Sequence, residues 1–196
     1  IRDPSAVHAF YNARRAQLPA AQPNPAHVAL ARLEQVVTDR GGEVFLCTQN
    51  VDDLHERAGS RSVLHMHGEL AKGRCEGAEG GGCGVVLPWP KSMDIDTICP
   101  QCEAMGTMRP HVVWFGEIPF GLDLIAEKLE AATQFVAIGT SGAVYPAAGL
   151  VDVARSRGVP TLELNLAPSD TASVFDAARY GPAGEVVPAW VADVLG

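Results

Sequence analysis

Four of the five cysteines lie between Cys75 and Cys102, as Cys75-x7-Cys83 followed by Cys99-x2-Cys102. Four thiolates suffice for a closed tetrahedral zinc site, which leaves no open position for a reacting water. The expected ion is therefore structural, one Zn2+ per chain. Cys99 and Cys102 have the usual knuckle spacing, whereas Cys83 stands farther from its partner and is the ligand least tightly implied. Free, inert cysteines are the plain alternative. Cys47 sits in an apolar run and is expected to be a buried small hydrophobe.

A second set of polar residues falls just after short apolar runs that read as strands. These are Gln49-Asn50-Val51-Asp52, His67-Gly68, Gly139-Thr140-Ser141-Gly142 and Asn165. Ligands of open parallel sheets bind outside the carboxyl ends of the strands. Four such clusters imply one crevice, and a nucleotide fits its chemistry: glycines admit close backbone approach, while amides and hydroxyls hold phosphate and ribose. Histidine titrates near neutrality, so His67 can serve as a base; a satisfied core histidine is the alternative. His65, two residues earlier on the same face, reads as structural. Tyr11 and Arg14 are spaced i and i+3 and share a helix face. A guanidinium beside a phenol suits a carboxylate, although a core-edge tyrosine beside a solvated arginine has the same pattern.

The elements that must carry these residues follow from local pattern. Asp3-Pro4 opens a helix that runs to Gln17, with Val7, Phe10, Tyr11 and Arg14 on one face. Asn24-Pro25 opens another, with Val28, Ala29, Leu33, Val36 and Val37 as its buried stripe, and Gly41-Gly42 stops it. Strands are expected over 44–48, 63–66, 135–138, 161–164 and 185–187. Strands alternating with helices make a Rossmann-like, doubly wound parallel α/β fold. Residues 71–108 break the alternation with the cysteines and Gly80-Gly81-Gly82, and read as a small insertion held by metal in place of a core. The organisation is thus 1–70 (first part of the nucleotide fold, with a substrate-contacting helix at 4–17), 71–108 (zinc module) and 109–196 (second part).

Composition narrows the function further. The 196 residues are 47% hydrophobic and 19% charged, enough for one domain with a small insertion. The net charge of −8 disfavours nucleic acid as a partner. No export signal is visible, and the longest uncharged stretch is broken by glycines and a proline, so no membrane span is expected. Clustered cysteines in such a chain favour zinc over disulfides. A cytoplasmic monomer is expected.

Several of these segments together resemble the sirtuins. Thr48-Gln-Asn-Val-Asp52, with Leu54-His55 and Ala58-Gly59, is similar to their nicotinamide-ribose segment, and His65-Met-His-Gly-Glu-Leu70 to their catalytic histidine motif. Arg109-Pro-His-Val-Val-Trp-Phe-Gly-Glu117 resembles the acyl-lysine tunnel, and Gly139-Thr-Ser141 with Val144, Pro146 and Ala147 the second NAD-binding stretch. The motifs keep the family's order and cover almost the whole chain. Phe10-Tyr-Asn-Ala-Arg-Arg15 resembles the desuccinylase type. With Pro146-Ala-Ala-Gly149 and Tyr180-Gly-Pro-Ala183, it points to bacterial members that remove both acetyl and succinyl groups.

The resemblance implies NAD-dependent removal of acyl groups from protein lysines, giving nicotinamide and O-acyl-ADP-ribose. It implies His67 as the base, Gln49 on ribose, and Asn50 and Asp52 on the carboxamide and water. Gly139, Thr140, Ser141, Asn165 and Ala183 complete the cofactor contacts. Tyr11 and Arg14 hold the acyl carboxylate, and Val113, Trp114, Phe115, Gly116 and Glu117 receive the peptide by strand addition. A plain core strand is the alternative for the last group. Sirtuins begin with a strand, a Gly-Ala-Gly loop and a segment ending in Phe-Arg, none of which precedes the first helix; this sequence is therefore read as part of a longer enzyme. Protein ADP-ribosylation uses the same cofactor chemistry. A zinc-stabilised interaction module with a vestigial NAD site is the reading from another class.

Overall fold

The computed structural model describes residues 3–77 and 80–196; residues 78 and 79, inside the cysteine segment, lie outside it. In chain order the elements are α1 (Pro4–Gln17), α2 (Pro25–Asp39), β1 (Leu46–Thr48), α3 (Leu54–Ala58), β2 (Val63–His65), β3 (Gly68–Cys75), β4 (Val86–Pro88), β5 (Met108–Val112), α4 (Leu122–Ala131), β6 (Phe135–Ile138), α5 (Leu150–Ser156), β7 (Thr161–Asn165), β8 (Ala177–Tyr180) and α6 (Ala183–Leu195). Both early helices start where the capping chemistry places them. The Asp3 side chain accepts the Ala6 N–H at 3.0 Å. Asn24 accepts the Ala26 and His27 amides, and His27 Nδ1 accepts the Asn24 N–H at 3.2 Å, a capping box with histidine in the usual glutamate role.

The chain forms two compact units. The first runs to Gln22 and adds Thr48–Asp53 and His65–Phe120; the second holds Pro23–Cys47, Leu54–Leu64 and Gly121–Gly196. In the second, β6, β7 and β8 make a parallel sheet, flanked at β7 by α5 and α6. Alternation along β7 turns Leu162 and Leu164 into a core with Ala29, Leu30 and Leu33 of α2 and Val187, Trp190 and Val191 of α6. The first unit is built on an antiparallel sheet of order β4-β3-β5, with α1 against β3 and β5. Mixed α/β architecture with a parallel sheet is as the sequence pattern implies. No helix among the described residues is long and apolar enough to cross a membrane.

Three local expectations need correction. Residues 185–187 are not a strand but lie inside α6, because Val187, Trp190 and Val191 recur at helical spacing and fill the core against α2. The third parallel strand is β8, whose four residues are all exposed and so carry no apolar run to signal it. On α2, Val28 is 55% exposed, and the buried stripe is Ala26, Ala29, Leu30, Leu33 and Glu34. The face expected on α1 is not contradicted: Phe10 and Arg14 are exposed along it, Val7 and Tyr11 are half-buried, and the buried residue is Arg15. Lastly, the cysteine segment is not held by metal in place of a core: Trp89, Met93 and Met108 pack with Cys75 and Cys99.

Candidate active site

Two segments of the first unit are laced together by their main chains. The Met66 N–H donates to Thr48 O at 3.1 Å, and the Leu70 N–H to Val51 O at 2.8 Å. Thr48 Oγ1 accepts the Asn50 N–H at 3.1 Å, which shapes the turn that follows β1. The lacing sets His67, on the turn after β2, against the loop that holds Gln49, Asn50 and Asp52. Its Nδ1 lies 3.1 Å from Gln49 O. A carbonyl oxygen only accepts, so Nδ1 carries the proton of the neutral ring and Nε2 keeps its lone pair. His65 is buried, with Nδ1 3.3 Å from Asn50 O, in keeping with a structural part.

Gly68 makes this turn possible. Its φ is +83°, and a Cβ there would lie 2.1 Å from His111 O. That close approach lets the Val113 N–H reach His67 O at 2.9 Å, while the Phe120 N–H reaches Met66 O at 2.9 Å. Residues 113–117 consequently form a tight turn in place of an extended edge. The Glu117 N–H donates to Trp114 O at 3.0 Å, and the Trp114 N–H to Glu117 Oε2 at 2.7 Å. Three amides expected to meet a peptide, those of Val113, Trp114 and Glu117, are thus engaged. Phe115 and Gly116 are exposed at the tip.

Arg109, which the motif contained without a role, organises this turn. It is 5% exposed and donates to Glu117 at 2.6 and 3.1 Å, to Glu76 at 2.9 Å and to Val112 O at 2.9 Å. Its guanidinium lies 3.1 Å from the centre of the Trp114 ring. Arg74 adds a second ion pair to Glu117 at 3.1 Å. Burial acts to raise the Glu117 pKa, but the Arg109 bond, the Trp114 amide and the charges of both arginines outweigh it and hold the carboxyl below its ordinary value. No spacing rule flags Arg109; an arginine inside a strand pattern beside Pro110 was the available signal.

Tyr11 meets this turn through its ring, stacked on Trp114 at 6.4 Å with a 23° tilt. Burial lifts its phenol above the ordinary tyrosine value. Arg14 is exposed, with its guanidinium 5.4 Å over the Phe10 ring. The two side chains share the helix side as expected, but in this structure Arg14 rests on Phe10.

The four cysteines converge. All four Sγ atoms lie within 4.8 Å of one another, with Cys75–Cys102 at 3.8 Å and Cys83–Cys99 at 3.9 Å. Tetrahedral zinc–thiolate bonds of about 2.3 Å require sulfurs about 3.8 Å apart, so the donor set fits one structural zinc, Cys83 included. The loop returns through Gly82, where a Cβ would meet Cys75 Sγ at 2.3 Å. Amides of Cys83 and Gln101 point at Cys75 Sγ and Cys99 Sγ, at 3.3 and 3.4 Å. Burial alone raises the Cys75 thiol, but the Thr107 hydroxyl, the Cys83 amide and the neighbouring thiols bring it down to about 7. At Cys83 the Val85 amide acts to lower the thiol, while burial and the other three sulfurs lift it to about 11. Cys47, expected to be buried, is half-buried, with its thiol pushed up to about 11 by burial.

In the second unit the Gly139–Ser141 loop leaves the end of β6 with Gly139 at φ +62°. Asn165, at the end of β7, donates from Nδ2 to Thr140 O at 2.7 Å and accepts the Leu166 N–H at 2.9 Å. The Asp170 N–H fastens Ser141 O at 2.9 Å. Asn165 is thus a brace for the loop, with Thr140 half-buried and Ser141 exposed. Ala183 is the first residue of α6 and is half-buried.

A parallel α/β unit with polar loops at its strand ends, and a second unit with a four-thiolate centre, define the architecture of a nucleotide-dependent enzyme stabilised by zinc. The Sir2 family matches residues 2–146, and the chain belongs to it. A Caulobacter vibrioides NAD-dependent protein deacylase is 58% identical over 99% of this chain and 79% of its own. The Leishmania major NAD-dependent protein deacylase SIR2rp3 is 51% identical over 100% of this chain and 79% of its own. Among solved structures, a complex of a Sir2 homologue with NAD superposes with a TM-score of 0.85 at 37% identity, over 100% of this chain and 75% of that one.

Proposed function

We propose that this site removes acetyl and succinyl groups from protein lysines, giving nicotinamide and O-acyl-ADP-ribose. The chain is a Sir2-family enzyme, an NAD-dependent protein deacylase acting on acylated lysines, with NAD as co-substrate and one structural zinc. The observation that carries the reading is the His67 ring. Its Nδ1 proton is held by Gln49 O, so Nε2 is left to take a proton from a ribose hydroxyl. NAD supplies the anomeric carbon that loses nicotinamide and accepts the acyl oxygen. Gln49 contacts ribose, while Asn50 and Asp52 hold carboxamide and water. The loop of Gly139, Thr140 and Ser141, braced by Asn165, takes the rest of the cofactor with Ala183. The turn of Val113 to Glu117 receives the peptide at its exposed tip, Phe115 and Gly116, since the other amides are engaged, and Tyr11 with Arg14 reads a carboxylate on the acyl chain. A cytoplasmic monomer with no nucleic-acid partner completes the proposal.

The test uses NAD with matched acetyl- and succinyl-lysine peptides, in a protein carrying the family's glycine-rich segment ahead of this chain. His67→Ala is expected to lower turnover of both by about 10²–10⁴-fold at unchanged zinc content. Normal turnover by that variant would overturn the assignment. Arg14→Met is expected to cost succinyl kcat/KM far more than acetyl; equal losses would remove succinyl from the proposal.

A further inference from the structure

We infer that Asn12 and Arg15 are positioning residues for acyl-group selectivity: they fix the rotation of α1 about its axis, and so the aim of Tyr11 and Arg14. The inference rests on the proposed reading of that pair as the acyl-carboxylate site. It starts from the lack of a fully buried apolar residue among the described residues of α1, whose buried residue is Arg15 at 5% exposure. Polar bonds hold the helix in place. Asn12 Nδ2 donates to Met93 O at 2.8 Å, and Asn12 Oδ1 accepts the Met93 N–H at 3.0 Å. The same Oδ1 accepts from Arg15 Nη1 at 3.0 Å, and Arg15 Nε donates to Leu70 O at 2.9 Å.

Both anchors are firm. Met93 is 1% exposed and packs with Trp89 and Cys99, while Leu70 is 3% exposed and bonded through its own N–H to Val51 O. Two residues, one helical step after Tyr11 and Arg14, therefore tie the helix to the cysteine segment and to β3. One step is about 100° of rotation, so the tied face and the reading face turn together. A slip of about 20° would move a side-chain tip about 6 Å from the axis by about 2 Å. Displacements of that size are costly where two groups must meet in a fixed geometry. Stacking on Trp114 steadies the Tyr11 ring from the other side. Arg14 has the Phe10 ring of its own helix beneath it, so its aim follows the rotation of α1. An acetyl group presents no carboxylate and is indifferent to that aim.

Asn12→Ala in the zinc-loaded protein tests this, with Arg14→Met as control. Zinc content and thermal midpoint are measured first, then kcat and KM for acetyl- and succinyl-lysine peptides. Asn12→Ala is expected to keep acetyl kcat/KM within about twofold while succinyl kcat/KM falls about tenfold, through KM. Equal losses on the two peptides would show a structural role only, and no succinyl loss would show no role; either overturns the inference. If Arg14→Met also loses equally on both peptides, the carboxylate reading itself fails and this inference with it. If Arg14→Met is selective and Asn12→Ala is not, only the inference falls. Should Asn12→Ala not retain zinc, Asn12→Asp is read by the same ratio. It keeps the acceptor for Arg15 and sets a carboxylate oxygen against Met93 O.

Discussion

The carboxylate of Glu117 meets two arginines and one backbone amide, and these contacts have a pH signature. A group whose folded pKa is depressed contributes stability that is complete above its unfolded value. That contribution is lost as pH falls through the folded value. For Glu117 the loss lies below the ordinary glutamate pKa of about 4.3. Glu117→Gln should therefore have a lower thermal midpoint than the wild type by a constant gap from about pH 8 to about pH 5, and the gap should close below about pH 4. A gap that persists in acid would mean that the carboxylate charge does not hold the turn. The placement of His67 beside the loop of Gln49, Asn50 and Asp52 was legible in the sequence because both segments sit in contiguous motifs next to strands, and their proposed roles rest on that placement. Arg109 and Asn12 were not: besides Glu117 and Arg15 nearby in sequence, they bond to main-chain atoms and to distant residues such as Glu76 and Met93, which no local spacing connects to them.

Among the elements, β7 contributes Leu162 and Leu164 to the second unit's core, between residues of α2 and α6. Leu164 is 0% exposed between the inner faces of α2 and α6. Leu164→Ala should cost about 3–5 kcal/mol, read as a lower urea midpoint with an unchanged slope. A loss below about 1 kcal/mol would contradict the close packing assigned to that site. A short apolar run announced β6, and in β7 the leucines of Thr161-Leu-Glu-Leu164 did so, although Thr161 and Glu163 are buried as well. The strand β8 was silent because an edge strand with four exposed residues has no pattern to show, and Val186-Val187 drew the strand reading that belonged to it. Where burial is one-sided or absent, period and composition no longer separate strand from helix.

At the scale of the whole molecule, cores of different make-up are found among the described residues: alanine, leucine and valine around Trp190 in the second unit, and sulfur with tryptophan in the first. Stripping zinc with a chelator should release amides of β3 and β5 to fast hydrogen exchange, by about tenfold or more, while those of β7 stay protected. Uniform loss of protection would mean that the metal supports both cores together. One bond has a further implication. Asn12 grips the main chain of residue 93, which every amino acid except proline supplies in full, while the Met93 side chain answers only to its own small core. The path from β4 to that residue can thus change its letters but not its count. One inserted residue would carry the gripped peptide unit along by about 3.8 Å, beyond the reach of the amide. In relatives that share the grip, evolutionary drift between Pro88 and Met93 should appear as substitutions and never as gaps.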